Sequence, residues 1–600
     1  MMCKRSKVQR NLAPFSTCLA LVLWAGAGSA PAVMGQQVPD VRRNLRFDIS
    51  FSALAHPEPI TGRIFLVLSR HGETEPRLQL DFDGPPLFGA DVHRMMPGQS
   101  VVIDDATPGF PVQSLREIPS GDYYVQAILN VYTEFHRADG HTIWAHMDQW
   151  EGQNLARSPG NLYSEVQKIH LDAKGSAEFR VQLSKVIPPI TLPPDTEWVK
   201  HVKFESKLLT QFWGHPIYLG ATVLLPKGYD SHPDVHYPVI YLQGHFALGA
   251  PFSFTTKPDK PGYKSWARQR EESKNKHVNM EEPPEFQSDD EEDDGSMANP
   301  ESGYEFYQMW NSEKFPRMIA VTFQHPTPYF DDSYGINSAN AGPYGDAILH
   351  ELIPCIEGYF RAIRQPYARV LTGGSTGGWG ALALQVYRPD FFGGAWSISP
   401  DPVDFRRYYG GVNLYKDHYA FIAGPDDAWL PPERYCCRFS DGQVNLSNRQ
   451  LSQRGLILGT QDMGIEWLNY TPVSSDGYPR RVWDLKTGEI DHEVVEYMKA
   501  HDYDLRDYLE RSWSKIGPQL VGKIHVICGD SDGAYLNLAV YLLEDFLENT
   551  KDPYYAGSFT YGRPLKGHQW QPMTNAELVR IMADSVATHA PAGELPTWEY

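Results

Sequence analysis

The six residues Gly373-Gly374-Ser375-Thr376-Gly377-Gly378 constrain the fold of this chain more than any other segment. An apolar run, Ala368-Arg369-Val370-Leu371, precedes them, and a helical pattern, Trp379-Gly380-Ala381-Leu382-Ala383-Leu384, follows. A strand must therefore reverse into a helix through a turn with serine at its apex. Glycines on both sides are what such a turn needs when its backbone is strained and the adjoining strand and helix leave no room for side chains. G-x-S-x-G between strand and helix is the nucleophile elbow, which presents a serine hydroxyl above a mostly parallel sheet. The first amides of the helix point where negative charge would develop during acyl transfer.

The rest of the chain is consistent with that constraint. Apolar runs at Tyr218–Pro226, Pro238–Gly244, Met318–Phe323, Gly394–Ser399 and Lys523–Gly529 alternate with helical patterns at about Gly345–Ile363 and Ala534–Asn549. Strands alternating with helices predict a mostly parallel sheet with helices on both faces in a domain over 200–600. Before it the pattern changes. Segments such as Leu45–Ile49, Arg63–Leu68, Tyr123–Leu129 and Ala177–Leu183 alternate apolar and polar residues between Gly and Pro turns. They predict a β-sandwich-like domain over 40–190, joined to the next by a stiff linker holding Pro188, Pro189, Pro193 and Pro194. At 600 residues the chain is too long for one ordinary core, so two folded parts are expected. The first is too short for the propeller that precedes some serine peptidases.

Two insertions interrupt the second part. Residues 257–302 are charged and include Asp289-Asp290-Glu291-Glu292-Asp293-Asp294; a solvated, disordered loop is expected there rather than a calcium site. Residues 401–519 are rich in aromatics. Tyr408, Tyr409, Trp429, Trp467, Tyr470 and Trp483 would form either a lid and substrate wall or the small core of a cap.

Lys4, Arg5, Lys7 and Arg10, then the apolar run Cys18–Ala25 and the small residues Ala27-Gly28-Ser29-Ala30, read as a signal peptide over 1–36. A secreted or periplasmic location is the expectation, with no membrane span after its removal. Cys355, Cys436, Cys437 and Cys528 remain; none has zinc-site spacing, and Cys355 and Cys528 are expected to be buried and free. The net charge of −20 argues against a nucleic-acid partner.

A serine hydroxyl needs a base, and the base needs an orienting acid. In a strand–helix fold of this kind the chain order is serine, acid, histidine. The loop Gly529-Asp530-Ser531-Asp532-Gly533 supplies the acid, with Asp532 the first choice and Asp530 the alternative. Asp401 and Asp404, after the preceding strand, rank lower. His568, in Gly567-His568-Gln569-Trp570, is the expected base. The oxyanion donors would be the amide of Thr376 and one from the loop after Gly244, either Phe246 or His245, with His245 also a candidate substrate contact. No metal or organic cofactor is required.

The second part of the chain resembles the putative-esterase family of α/β-hydrolases, which includes esterase D, feruloyl esterases, siderophore esterases and mycolyltransferases. The residues that carry the resemblance are Gly220–Pro226, Tyr237–Tyr241, Glu351-Leu352-Ile353-Pro354, Gly374–Gly378, Asp532 after Gly529, and Gly567-His568. It implies a Ser375–His568–Asp532 triad and hydrolysis of a carboxylic ester on a small-molecule or glycan-linked substrate. The family's His-Gly order after the third strand is reversed here as Gly244-His245, so the second oxyanion donor stays open between Phe246 and His245. An acyltransferase with the same triad, or a ligand-binding protein on a hydrolase scaffold, is the alternative expectation.

Overall fold

The computed structural model describes residues 45–80, 84–146, 154–172, 176–263, 301–425, 429–459, 469–592, 598 and 600. The signal-peptide reading at 1–36, most of the acidic insertion, and Trp467 lie outside them.

The N-terminal strands begin as their alternation predicts: Leu45–Phe51 buries every second side chain. The strands between residues 45 and 186 join in one ten-stranded hydrogen-bonded sheet, where the sequence suggested a sandwich. The cause is the long strand Gly121–His136. It pairs with Ile60–Ser69, Thr142–His146, Leu162–Ser164 and Gln167–Leu171, so it links what would otherwise be separate sheets. The sheet encloses a core that includes Phe47, Ile49, Leu66, Leu129 and Leu183.

The strand Ile60–Ser69 is buried on nearly every position, which period-two alternation does not foresee. Ile64, Leu66 and Leu68 face the N-terminal core, whereas Phe65 and Val67 pack with Leu446, Ile457 and Leu458. The insertion thus covers the outer face of this sheet. Burying such a side chain is worth about 1.5–3 kcal/mol. Arg63 adds polar contacts at the same seam, donating from Nε to the Ile457 carbonyl at 2.7 Å.

The second sheet has eight strands: β1 (Val199–Glu205), β2 (Tyr218–Leu224), β3 (Val239–Gln243), β4 (Ile319–Gln324), β5 (Arg369–Gly374), β6 (Gly394–Ile398), β7 (Ile524–Gly529) and β8 (Ser558–Gly562). Their order is β1-β2-β4-β3-β5-β6-β7-β8. Pairing is antiparallel for β1, β2 and β4 and parallel from β4 through β8. Parallel pairing sets the carboxyl ends of β3, β5, β6, β7 and β8 along one edge, where open α/β sheets carry their sites. Both faces are covered. Along β7, Ile524, Val526 and Cys528 enter one core and Ile527 the other.

The helix after the elbow, Thr376–Tyr387, is buried from Thr376 to Val386, as a helix that is apolar all round should be. The expected helix at 345–363 is instead broken into Tyr344–Ala347, a π-turn at Ile348–Leu352, and Ile353–Tyr359. Pro354 has no amide hydrogen to continue a regular ladder. Cys355 in this segment is half-exposed, contrary to expectation, while Cys528 is buried and both are free thiols.

In the insertion, Tyr408, Tyr409, Tyr470 and Trp483 are buried in the core that also holds Trp379 of the elbow helix. These four are therefore interior residues rather than a substrate wall. Trp429 is fully exposed.

Candidate active site

Ser375 follows β5 at φ 58° and ψ −122°, a strained conformation that costs a non-glycine residue about 1–3 kcal/mol. Its neighbours hold it there. Its amide donates to the Ile398 carbonyl at 3.0 Å, and its carbonyl accepts from the amides of Trp379 at 3.0 Å and Asp401 at 3.3 Å. The glycines are set by distance. A Cβ on Gly377 would lie 2.0 Å from the carbonyl oxygen of Gln243 on β3, and one on Gly373 2.6 Å from the same atom.

The loops after β7 and β8 converge on the serine. Ser375 Oγ lies 3.1 Å from His568 Nε2, and His568 Nδ1 lies 2.8 Å from Asp532 Oδ2. With the imidazole proton on Nδ1, the ring donates to Asp532 and accepts from the serine. Asp532 is fully buried, and its Oδ1 accepts from the amides of Ala534 at 2.9 Å and Leu536 at 3.2 Å. Burial alone would raise this carboxyl. The His568 charge, the His568 hydrogen bond and the two amides outweigh it and hold the group below its usual range. For His568 burial acts downward, but the charge and hydrogen bond of Asp532, helped by Asp401, leave it raised above 6.5.

Asp530 does not meet the imidazole. Its Oδ1 accepts from the Lys566 amide at 3.1 Å, tying the acid loop to the base loop. Ser531 donates to the Lys566 carbonyl at 2.9 Å, and Gln569 donates to Ser399 Oγ at 3.1 Å. Three contacts therefore fix the segment that carries His568.

Thr376 begins the elbow helix, so its amide is one of the helix's unpartnered first donors. His245 and Phe246 lie half-buried in the loop after β3. That loop is anchored by Gln324 Nε2, which donates to the Ala247 carbonyl at 2.6 Å. His245 Nδ1 stands 2.9 Å from Asp331 Oδ1 and 3.5 Å from Asp332 Oδ2. Burial pushes the Asp332 carboxyl up to about 7 against the pull of His245. His245, Asp331 and Asp332 lie close enough to hold a metal ion, each offering one atom within 4.8 Å of the others.

One neighbour was ranked low from sequence. Asp401, buried just after β6, places Oδ1 3.4 Å from Ser375 Oγ, while Tyr334 donates to its Oδ2. Burial raises the Asp401 carboxyl. The available signal was Ser399-Pro400-Asp401 at the end of a parallel strand next to the elbow strand. Asp404 instead caps a short helical turn and pairs with Arg406.

Residues 299–438 match the model of the family described as Putative esterase. No curated protein matches the chain. Among solved structures, it is similar to a ferulic acid esterase at 15% identity, covering 65% of this chain and 98% of the other, with a TM-score of 0.33. A fluorophosphonate-binding serine hydrolase of Staphylococcus aureus matches at 14% identity, over 65% and 98% of the two chains, TM-score 0.29. An S-formylglutathione hydrolase from Agrobacterium tumefaciens matches at 12% identity, over 66% and 96%, TM-score 0.29. The matched segment holds Ser375 and Asp401, and the family is the one that the sequence resembles.

Proposed function

We propose that the protein is a secreted or periplasmic serine esterase with an α/β-hydrolase catalytic domain and an N-terminal β domain. The observation that carries this reading is the hydrogen-bonded series Asp532–His568–Ser375, with links of 2.8 and 3.1 Å and the serine held at positive φ. The match of residues 299–438 to an esterase family supports the choice of substrate bond.

Ser375 Oγ attacks the ester carbonyl while His568 Nε2 takes its proton. Asp532 keeps the imidazole in the required tautomer and stabilises its cation. The Thr376 amide, with a second amide from the loop after β3, at Phe246 or His245, receives the oxyanion. His568 then protonates the departing alkoxide, water attacks the acyl-enzyme, and His568 serves again as base. The chain's own residues suffice for this sequence.

Fluorophosphonate labelling with mass mapping, beside turnover of a short-chain nitrophenyl ester, tests the reading. A single adduct on Ser375 with ester turnover is the expected result. Folded protein with neither adduct nor turnover would overturn it. Esters cleaved only when an acceptor alcohol is supplied would make the protein an acyltransferase. The N-terminal residue of protein exported by its native host tests the leader.

A further inference from the structure

Two cysteines outside the mechanism are adjacent in sequence and close in space. Cys436 Sγ and Cys437 Sγ are 3.4 Å apart, against about 2.05 Å in a disulfide. Their amides both donate to the Leu446 carbonyl, at 2.9 and 3.2 Å. Cys436 is buried with Phe65, Val67 and Ile128 of the N-terminal sheet, whereas Cys437 is half-buried.

The residues that follow rest on both catalytic loops. The Arg438 amide donates to the Gly533 carbonyl at 2.8 Å, and its Nε donates to the Asp532 carbonyl at 3.0 Å. Its guanidinium also reaches Asn537 Oδ1 at 3.2 Å and lies over the Tyr535 ring. On the other loop, Ser440 Cβ stands 3.4 Å from where a side chain on Gly567 would begin. The acid loop at 532–533 is therefore held by Arg438, and Ser440 lies near the base loop at Gly567.

We propose that Cys436 and Cys437 form a reversible vicinal disulfide, and that closing it slows catalysis by displacing Arg438 from the acid loop. The oxidant is a low-molecular-weight disulfide. The Cys437 thiolate attacks one sulfur of R–S–S–R, giving a mixed disulfide and one RS⁻. The Cys436 thiolate then attacks the Cys437 sulfur and expels the second RS⁻. The two thiol protons end on the two released RSH, so the protein loses two hydrogens and the oxidant is reduced by two electrons. The shared S–H holds the Cys437 thiol below its usual value and, with burial, pushes that of Cys436 up, which makes Cys437 the first attacker.

Ring closure must draw the sulfurs together across one peptide bond, and the Cys437 carbonyl carbon is bonded directly to the Arg438 nitrogen. A shift of about 1 Å at a catalytic group can cost on the order of a hundredfold in rate.

The test compares the full chain, reduced with a dithiol and then treated with oxidised glutathione. Three readouts apply: intact mass with mapping of the 436–437 peptide, ester turnover, and the downfield proton resonance of the His568–Asp532 hydrogen bond. Oxidation is expected to remove two hydrogens at 436–437, lower kcat about 10- to 100-fold, shift the resonance, and reverse with the dithiol. C437S, with C437A as a second variant if serine disturbs packing, should be indifferent to the oxidant. The proposal is overturned if both thiols persist, if the ring forms with rate and resonance unchanged, or if C437S responds as the parent does. Absent turnover in the reduced protein would refute the esterase reading instead, leaving mass and resonance to decide this one.

Discussion

Exchanging Asp532 for asparagine removes little volume and one charge, yet the site geometry predicts a large effect. In Asp532→Asn the amide oxygen can keep the Ala534 and Leu536 amides that now reach Oδ1. The amide nitrogen then faces His568 Nδ1, where a carboxylate oxygen stood at 2.8 Å. Two donors cannot share that contact, so the imidazole proton moves to Nε2. His568 then presents N–H to Ser375 and can no longer take its proton. The same exchange in the serine-protease triad lowers kcat about 10⁴-fold, which corresponds to about 5.4 kcal/mol of transition-state stabilisation. In Asp530→Asn the side-chain oxygen can still accept from Lys566, so kcat/KM should fall by less than about tenfold. The assay is kcat/KM on a short-chain nitrophenyl ester together with the rate of fluorophosphonate labelling. Asp530→Asn as damaging as Asp532→Asn, or Asp532→Asn within tenfold of the parent, would refute the assignment of the acid.

Other consequences can be checked the same way. Ser375→Ala should abolish the covalent adduct while circular dichroism and Tm stay near those of the parent. His568 must be neutral to act as base, so kcat/KM should rise with pH through a value above 6.5. Asp401 helps to hold that value up, so Asp401→Asn should move the rising limb to lower pH; an unmoved limb would remove Asp401 from the site's electrostatics. Gly377→Ala sets a methyl 2.0 Å from the Gln243 carbonyl oxygen, and thermal denaturation should register a loss of at least about 1–3 kcal/mol. Arg63→Ala deletes the contact to Ile457; denaturant melts should show a loss of about 1.5–3 kcal/mol with ester kinetics little changed.

The elements that bring Ser375, Asp532 and His568 together were readable because each depends on local pattern. The elbow needs glycine where backbone meets backbone, and the sequence has glycine there. The loops holding Asp532 and His568 follow short runs with strand character, a buried one at Ile524–Gly529 and a half-exposed one at Ser558–Gly562. Asp401 was harder to place, since its approach to Ser375 depends on β6 lying beside β5, a non-local pairing with no sequence period. The double burial of Ile60–Ser69 was hidden for the same reason: its second cover comes from residues 446–458. At 345–363 the apolar pattern was right and its regularity was not, because Pro354 breaks the ladder. Burial of the insertion aromatics around Trp379 likewise needed the tertiary arrangement, since a lid and a core use the same residue types.

The seam at Arg63 and Ile457 has a consequence for how the chain is made. Its partners are 394 residues apart in sequence, so the N-terminal strands are synthesised long before the segment that seals their outer face. Until then Phe65 and Val67, on a strand of high β-propensity, lack the cover of Leu446, Ile457 and Leu458. Contacts of such long range form slowly, and unpaired apolar strands invite association with other chains while they wait. Yield of native protein should therefore depend on how the nascent N-terminus is shielded during synthesis, and a ribosome-bound fragment ending before residue 446 is the species most in need of a chaperone.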